Sequence, residues 1–191
     1  MRKVKMLNRI SIDGYFASPN EANFGMDWFI HDPEVDKAAH EMCGSMDALI
    51  LGRKTFSGFE RSWVPVLQDP NASSHQKEIA AELTGMTKIV FSRTVKDTTW
   101  ANTRFYDQNL IEVVKQIKQH AGSDILVLGS GSIVQQLSKE GLIDEYIFIV
   151  TPVVAGEGKP LFPDVKQCDL TLVEARTFES GNLVVHYALR K

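Results

Sequence analysis

The sequence predicts an α/β fold: a mostly parallel sheet covered by helices on both faces, with an antiparallel hairpin added at its C-terminal end. Three observations lead there. Short unbroken apolar runs, DALILG at 47–52, KIVFS at 88–92 and DILVLG at 124–129, alternate with longer stretches of helical periodicity, as expected of parallel strands buried on both faces. A small residue, Gly52, Ser92 or Gly129, stands at the carboxyl end of each run. The C-terminal part reads almost entirely as strand, with DLTLVEARTF at 169–178 and NLVVHYALRK at 182–191 joined by the turn Glu179-Ser180-Gly181.

Val4 to Ile12 is rich in apolar residues and stops at Asp13-Gly14, a turn signal, which suits a first strand. Residues 13–31 read as a long loop. Asp32-Pro33 then supplies an N-cap followed by proline at the first helical position, and Val35, Ala38, Ala39, Met42 and Cys43 recur at helical spacing, so a helix is expected over 33–45. The strand at 47–52 runs directly into RKTFSGF, the start of a helix. A second helical stretch at 74–84 leads to the strand at 88–92, and a weaker strand is expected at 103–106. Leu110, Val113, Val114, Ile117 and Lys118 trace an amphipathic helix, and Ser132 to Glu140 forms the helix after the third buried strand. IDEYIFIVTPVV at 143–154 is the strand before the hairpin. No internal repeat or linker interrupts the pattern, so residues 1–191 are read as a single domain.

The composition, 43% hydrophobic and 24% charged, is that of a chain able to bury a core. A formal charge of −3 gives no broad basic field, which disfavours nucleic acid as a partner. Cys43 and Cys168 lie outside any zinc or disulfide spacing and read as ordinary thiols of a reducing cytoplasm, with no metal site expected. Asn8, Arg9, Ser11 and Asp13 interrupt the N-terminal apolar residues, so no export signal is expected, and no apolar run is long enough to span a bilayer.

In parallel sheets, ligands bind beyond the carboxyl ends of the strands. Gly52-Arg53-Lys54-Thr55 follows the first buried run and opens a helix, so backbone N–H groups, the helix dipole and Arg53 together suit an anion; the plainer reading is a turn glycine with Thr55 as a cap. Ser92-Arg93-Thr94 places hydroxyls and a guanidinium after the second run, suited to the 2′-phosphate that separates NADP from NAD, or simply a solvated loop. Gly129-Ser130-Gly131-Ser132, followed by Ile133, is the most glycine-dense turn, suited to a pyrophosphate or only to a tight turn. Three such clusters at successive strand ends point to a nucleotide.

The segments SIDGYFA at 11–17, GRKTF at 52–56, FSRT at 91–94, LGSGSIVQQL at 128–137 and GLIDEYIFIVTPVVAGEGKPLF at 141–162 occur in the order seen in a known family. The chain resembles the C-terminal reductase domain of the bifunctional riboflavin-biosynthesis deaminase/reductase, a stand-alone version of it, over nearly its whole length. The resemblance implies a three-layer dihydrofolate-reductase-like fold, NADPH as cofactor, hydride transfer from its nicotinamide, and a homodimer. It implies that Gly52, Arg53, Lys54 and Thr55 hold the adenosine phosphates, Ser92, Arg93 and Thr94 the 2′-phosphate region, and Gly129, Ser130, Gly131, Ser132 and Ile133 the pyrophosphate and nicotinamide side. The family's tandem glycines appear here as Gly129-Ser130-Gly131, so a seryl side chain must be accommodated there. The zinc-deaminase signature is absent, so deamination is not expected.

The resemblance, to 5-amino-6-(5-phosphoribosylamino)uracil reductase, implies hydride transfer to a small heterocyclic or carbonyl substrate. Candidate proton donors are Asp13, at the mouth of the first strand, and Asp32, which with Asp36 lies in the region where dihydrofolate reductases place a carboxylate; water is the alternative. Asp13 also suits a turn, and Asp32 an N-cap. Phe16 and Trp28, the latter in a loop that also carries Phe24 and Phe29, are candidate substrate contacts, as are Gly156 and Gly158, which otherwise shape a connection. A dihydrofolate reductase proper and a non-catalytic nucleotide-binding protein are the competing readings.

Overall fold

A computed structural model describes residues 1–20 and 25–190. Its main sheet has eight strands: β1 (Val4–Ser11), β3 (Met46–Gly52), β4 (Thr87–Phe91), β5 (Thr103–Tyr106), β6 (Asp124–Leu128), β7 (Glu145–Thr151), β9 (Leu170–Thr177) and β10 (Leu183–Leu189). Their spatial order is β5-β4-β3-β6-β1-β7-β10-β9, and the first six are mutually parallel. β10 pairs antiparallel with both β7 and β9, so the expected hairpin forms one edge of the sheet. The architecture is the α/β fold that the alternating pattern predicts.

Five helices cover the two faces: α1 (Pro33–Cys43), α2 (Arg53–Trp63), α3 (Ser74–Gly85), α4 (Leu110–Gln119) and α5 (Gly131–Lys139). Alternate residues of each strand enter opposite layers. Val4, Met6, Ile50, Ile125 and Val127 pack with Val114 of α4 and Ile133 and Leu137 of α5. Leu49, Leu51, Val90, Leu126 and Ile147 pack with Val35 and Ala39 of α1, Phe56 of α2 and Leu83 of α3. This explains the unbroken apolar runs, since both sides of a central strand are core.

The structure differs from the expected elements where local signals are weakest. α1 stops at Cys43 because Gly44 takes a positive φ of 66°. The loop expected over 13–31 contains a three-residue strand, β2 (Tyr15–Ala17), paired with the two-residue β8 (Lys159–Pro160). The strand read over 143–154 ends at Thr151, ahead of Pro152. Among the described residues no helix is long and apolar enough to cross a membrane, and no cluster of three His, Cys, Asp or Glu side chains suits a metal ion.

Candidate functional site

The chain leaves β3 through α2 toward β4 on one side, and leaves neighbouring β6 through α5 toward β7 on the other. β3 and β6 are adjacent, so the crevice outside their carboxyl ends is a reversal point of the strand order, where open α/β sheets bind ligands. Both helices that begin there lack a side-chain cap. By contrast Asp32 caps α1 and Ser73 caps α3 with a reciprocal capping box. Uncapped first-turn N–H groups at two facing helix ends favour an anion.

The turn after β6 is built for close approach. Gly129 and Ser130 both take left-handed conformations, with φ of 63° and 51°. The Gly129 N–H donates to the Leu7 carbonyl at 3.1 Å, and the buried Asn8 amide, its nitrogen turned inward, donates to the Gly129 carbonyl at 3.2 Å. The seryl side chain bridges to the neighbouring turn: Ser130 Oγ accepts from Gly52 N at 2.9 Å and donates to Thr55 Oγ1 at 2.9 Å. A single hydroxyl thus joins the two turns at the crevice. The sequence gives no site role to Asn8 and no sign of the Ser130 bridge, because Asn8 is one of several polar residues in β1.

Arg53 and Arg93 are exposed and make no ion pair with the described residues, which leaves two guanidiniums unneutralised at this edge. Ser92 is buried and its Oγ accepts from the backbone N–H groups of Thr94 and Val95, at 3.3 and 2.8 Å, so it shapes the loop that carries Arg93. Beside it, a cleft of about 420 Å³ lined by Ser92, Lys96, Tyr106 and Asn109 opens at the uncapped start of α4. The three expected anion clusters therefore lie along one edge of the sheet.

Gly131 has a second use. The Phe16 ring lies so close that a Cβ there would come within 2.3 Å of Phe16 Cζ. Gly131→Ala is accordingly expected to displace that ring and cost on the order of 1 kcal/mol in denaturant unfolding. A double variant with Phe16→Ala should show coupling, and strict additivity would mean that the ring and the glycine do not meet.

Both candidate proton donors are engaged elsewhere. Asp13 accepts from Ser11 Oγ at 2.6 Å, Ala155 N at 3.0 Å and Gly156 N at 2.8 Å. The Ser11 bond first, then the two backbone N–H groups, pull its carboxyl down to about 2, so it carries no proton at neutral pH. Asp32 Oδ2 accepts from Ser180 Oγ at 2.6 Å in the β9–β10 turn, and Oδ1 from Glu34 N at 3.0 Å. The Ser180 bond lowers its carboxyl below the usual range. Asp36, in the same helix, pairs with Arg9.

Gly156, with φ of 72°, presents its N–H to Asp13, while at Gly158 a Cβ would fall 2.3 Å from the Ala17 carbonyl oxygen. These two glycines shape the connection between β7 and β8. Trp28 meets Phe29 edge to face at 4.3 Å, and with Ser18, Asp27, Ala155 and Glu157 it borders a cleft of about 330 Å³; its Nε1 is buried without a partner among the described residues. Phe24 lies outside the described residues.

Comparison with known proteins agrees with this fold. The chain is 33% identical over 187 residues to the Bacillus subtilis (strain 168) protein YyaP, covering 97% of this chain and 94% of that one. It is 26% identical over 164 residues to YwjB of the same organism, covering 86% and 84%. Among solved structures, a putative riboflavin biosynthesis protein from Shewanella sp. PV-4 superposes with a TM-score of 0.69 at 18% identity, over 99% of both chains. A diaminohydroxyphosphoribosylaminopyrimidine deaminase/5-amino-6-(5-phosphoribosylamino)uracil reductase from Thermotoga maritima superposes with a TM-score of 0.66 at 12% identity, over 99% of this chain and 57% of that one. These likenesses are of fold. The family model for the RibD C-terminal domain matches residues 2–184, and with that match this chain belongs to the RibD C-terminal domain family.

Proposed function

We propose that this protein is an NADPH-dependent reductase acting on a small heterocyclic or carbonyl substrate, in the cytoplasm and as a homodimer. The observation that carries the reading is the pair of uncapped helix ends, α2 and α5, joined through Ser130 at the strand-order reversal and flanked by unneutralised Arg53 and Arg93. That donor set fits a dinucleotide bearing an extra phosphate: Gly52 to Thr55 and Gly129 to Ile133 would hold its phosphates, and Arg93, on the loop shaped by Ser92, the 2′-phosphate. When bound, NADPH supplies the hydride.

The chain's own residues orient and enclose. Phe16 seated on Gly131 walls the end of the groove next to α5. Asp13 and Asp32, both held ionised, position loops rather than donate protons, so the proton comes from solvent in this reading. A folate reductase is less well supported, because Asp32 is bound to Ser180 and Asp36 to Arg9, and neither carboxylate is free to meet a pterin.

Titrating the purified protein with NADPH and NADH, by quenching of tryptophan fluorescence, tests the assignment. Saturable binding with clear preference for NADPH is expected, weakened about tenfold or more in Arg53→Ala by loss of a charge-assisted phosphate contact. Absence of binding by either nucleotide would remove the cofactor from the reading.

A further inference from the structure

Two segments leave the sheet side by side at the carboxyl ends of β1 and β7, and they are fastened together by more than their short strands. Ile12 N donates to the Val153 carbonyl at 2.8 Å, Leu161 N to the Gly14 carbonyl at 3.0 Å, and β2 pairs with β8. At the centre stands one side chain, Asp13. It accepts from both Ala155 N and Gly156 N, and from Ser11 Oγ, which itself accepts from Tyr15 N at 3.0 Å. Tyr15 opens the strand that carries Phe16, whose ring rests on Gly131, and Gly158 lets the second segment approach Ala17. The cleft bordered by Ser18 and Trp28 on one side and Ala155 and Glu157 on the other exists only while the two segments stay together.

We propose that Asp13 is a positioning residue: its carboxylate latches residues 153–158 onto the segment after β1, and so seats Phe16 against Gly131 at the end of the groove assigned to the nicotinamide. The latch is geometric and stands by itself, whereas its effect on the cofactor rests on the reductase reading. Asp13 touches neither the groove's phosphate-binding turns nor the reacting atoms in this assignment. Its two backbone bonds do the work: an aspartate with two acceptor oxygens satisfies adjacent N–H groups that asparagine, with one, does not. The carboxyl stays ionised far below neutral pH, so the latch is expected to hold unchanged across the range in which an acid–base catalyst would titrate.

Hydrogen–deuterium exchange of the whole chain, in the parent protein and in Asp13→Ala and Asp13→Asn, tests the latch, with the milder Asn variant carrying the test if the Ala variant does not fold. Exchange over 153–161 and 12–18 is expected to quicken about tenfold or more, while α3 stays as protected as before. Unchanged exchange over 153–161, or loss of protection throughout, would overturn the proposal. Binding is then compared for NADPH and for adenosine 2′,5′-bisphosphate, which lacks the nicotinamide. The variants are expected to weaken the first and spare the second, and equal weakening of both would overturn the link to Phe16. Should the parent chain bind neither nucleotide while the exchange result appears as expected, the reductase reading fails and the latch remains.

Discussion

Glu145→Ala is expected to lower the unfolding free energy by about 3 kcal/mol, the low end of the cost of breaking a buried ion pair. Glu145 begins β7 at the edge of the sheet opposite the crevice, with its side chain only 9% exposed. Its carboxylate meets Lys3 Nζ at 2.6 Å, Lys5 Nζ at 3.5 Å and His186 Nε2 at 3.0 Å. Deleting it strands a buried lysine and a buried histidine. The loss is softened because Lys5 keeps Asp124 at 3.0 Å and the Cys43 carbonyl at 2.8 Å. Guanidinium unfolding followed by circular dichroism measures the change, and a shift of the midpoint corresponding to under about 1 kcal/mol would show that the cluster is decorative. Glu145→Gln should fall between, since it retains a hydrogen bond and loses the charge.

The same cluster sets an acid limit. Burial pushes the Glu145 carboxyl up, but the Lys3 bond and the charges of Lys5 and Lys3 outweigh it, so the folded value lies below the ordinary 4.5. The unfolded chain therefore binds the proton more readily. This stabilisation is complete above about pH 4.5 and drains away as pH falls through the folded value. In Glu145→Gln that part of the acid dependence is expected to vanish.

Lys88→Met is expected to cost about 2–4 kcal/mol, because it takes the ammonium donor from the buried Leu83 and Met86 carbonyls, while the Thr84 carbonyl keeps the Asn102 amide. Lys88 is completely buried, and its ammonium donates to the Leu83, Thr84 and Met86 carbonyls, each at 2.9 Å, while lying 4.7 Å from the Trp100 ring centre. It closes the C-terminal turn of α3, whose last carbonyls have no intrahelical partner. Methionine fills a similar volume, so the experiment isolates the polar loss from cavity formation. Burial also lowers the lysine to about 8 from its ordinary 10.5. Across that window the unfolded state holds the proton and the folded state releases it, so the stability difference between parent and variant should widen as pH rises from 8 to 10.5. A difference that stays flat with pH would show that the ammonium is not desolvated.

The elements that were legible in the sequence are those whose local pattern and tertiary placement agree. Unbroken runs such as ALIL and ILVL announce strands with helices on both sides, and Asp32-Pro33 announces a helix start, because each signal is fixed by immediate neighbours. β2 and β8 escaped because segments of three and two residues hold no period; they are strands only by virtue of each other, across a separation of more than a hundred residues. The three candidate clusters were visible as glycine, serine and arginine after strands. That two of them, after β3 and β6, flank a strand-order reversal was not, since order is a property of the whole sheet. Asp13 shows the limit most clearly. A carboxylate at a strand mouth reads equally as proton donor or turn former, and its bonds to Ala155 and Gly156, remote in sequence, are visible only in the fold.

Ser130 gives the molecule something that two glycines would not. By holding Gly52 and Thr55 from the neighbouring turn, it orders both halves of the crevice before any ligand arrives. The conformational entropy of bringing those backbones together is thus spent during folding, and the anion proposed to bind there would meet two walls already joined.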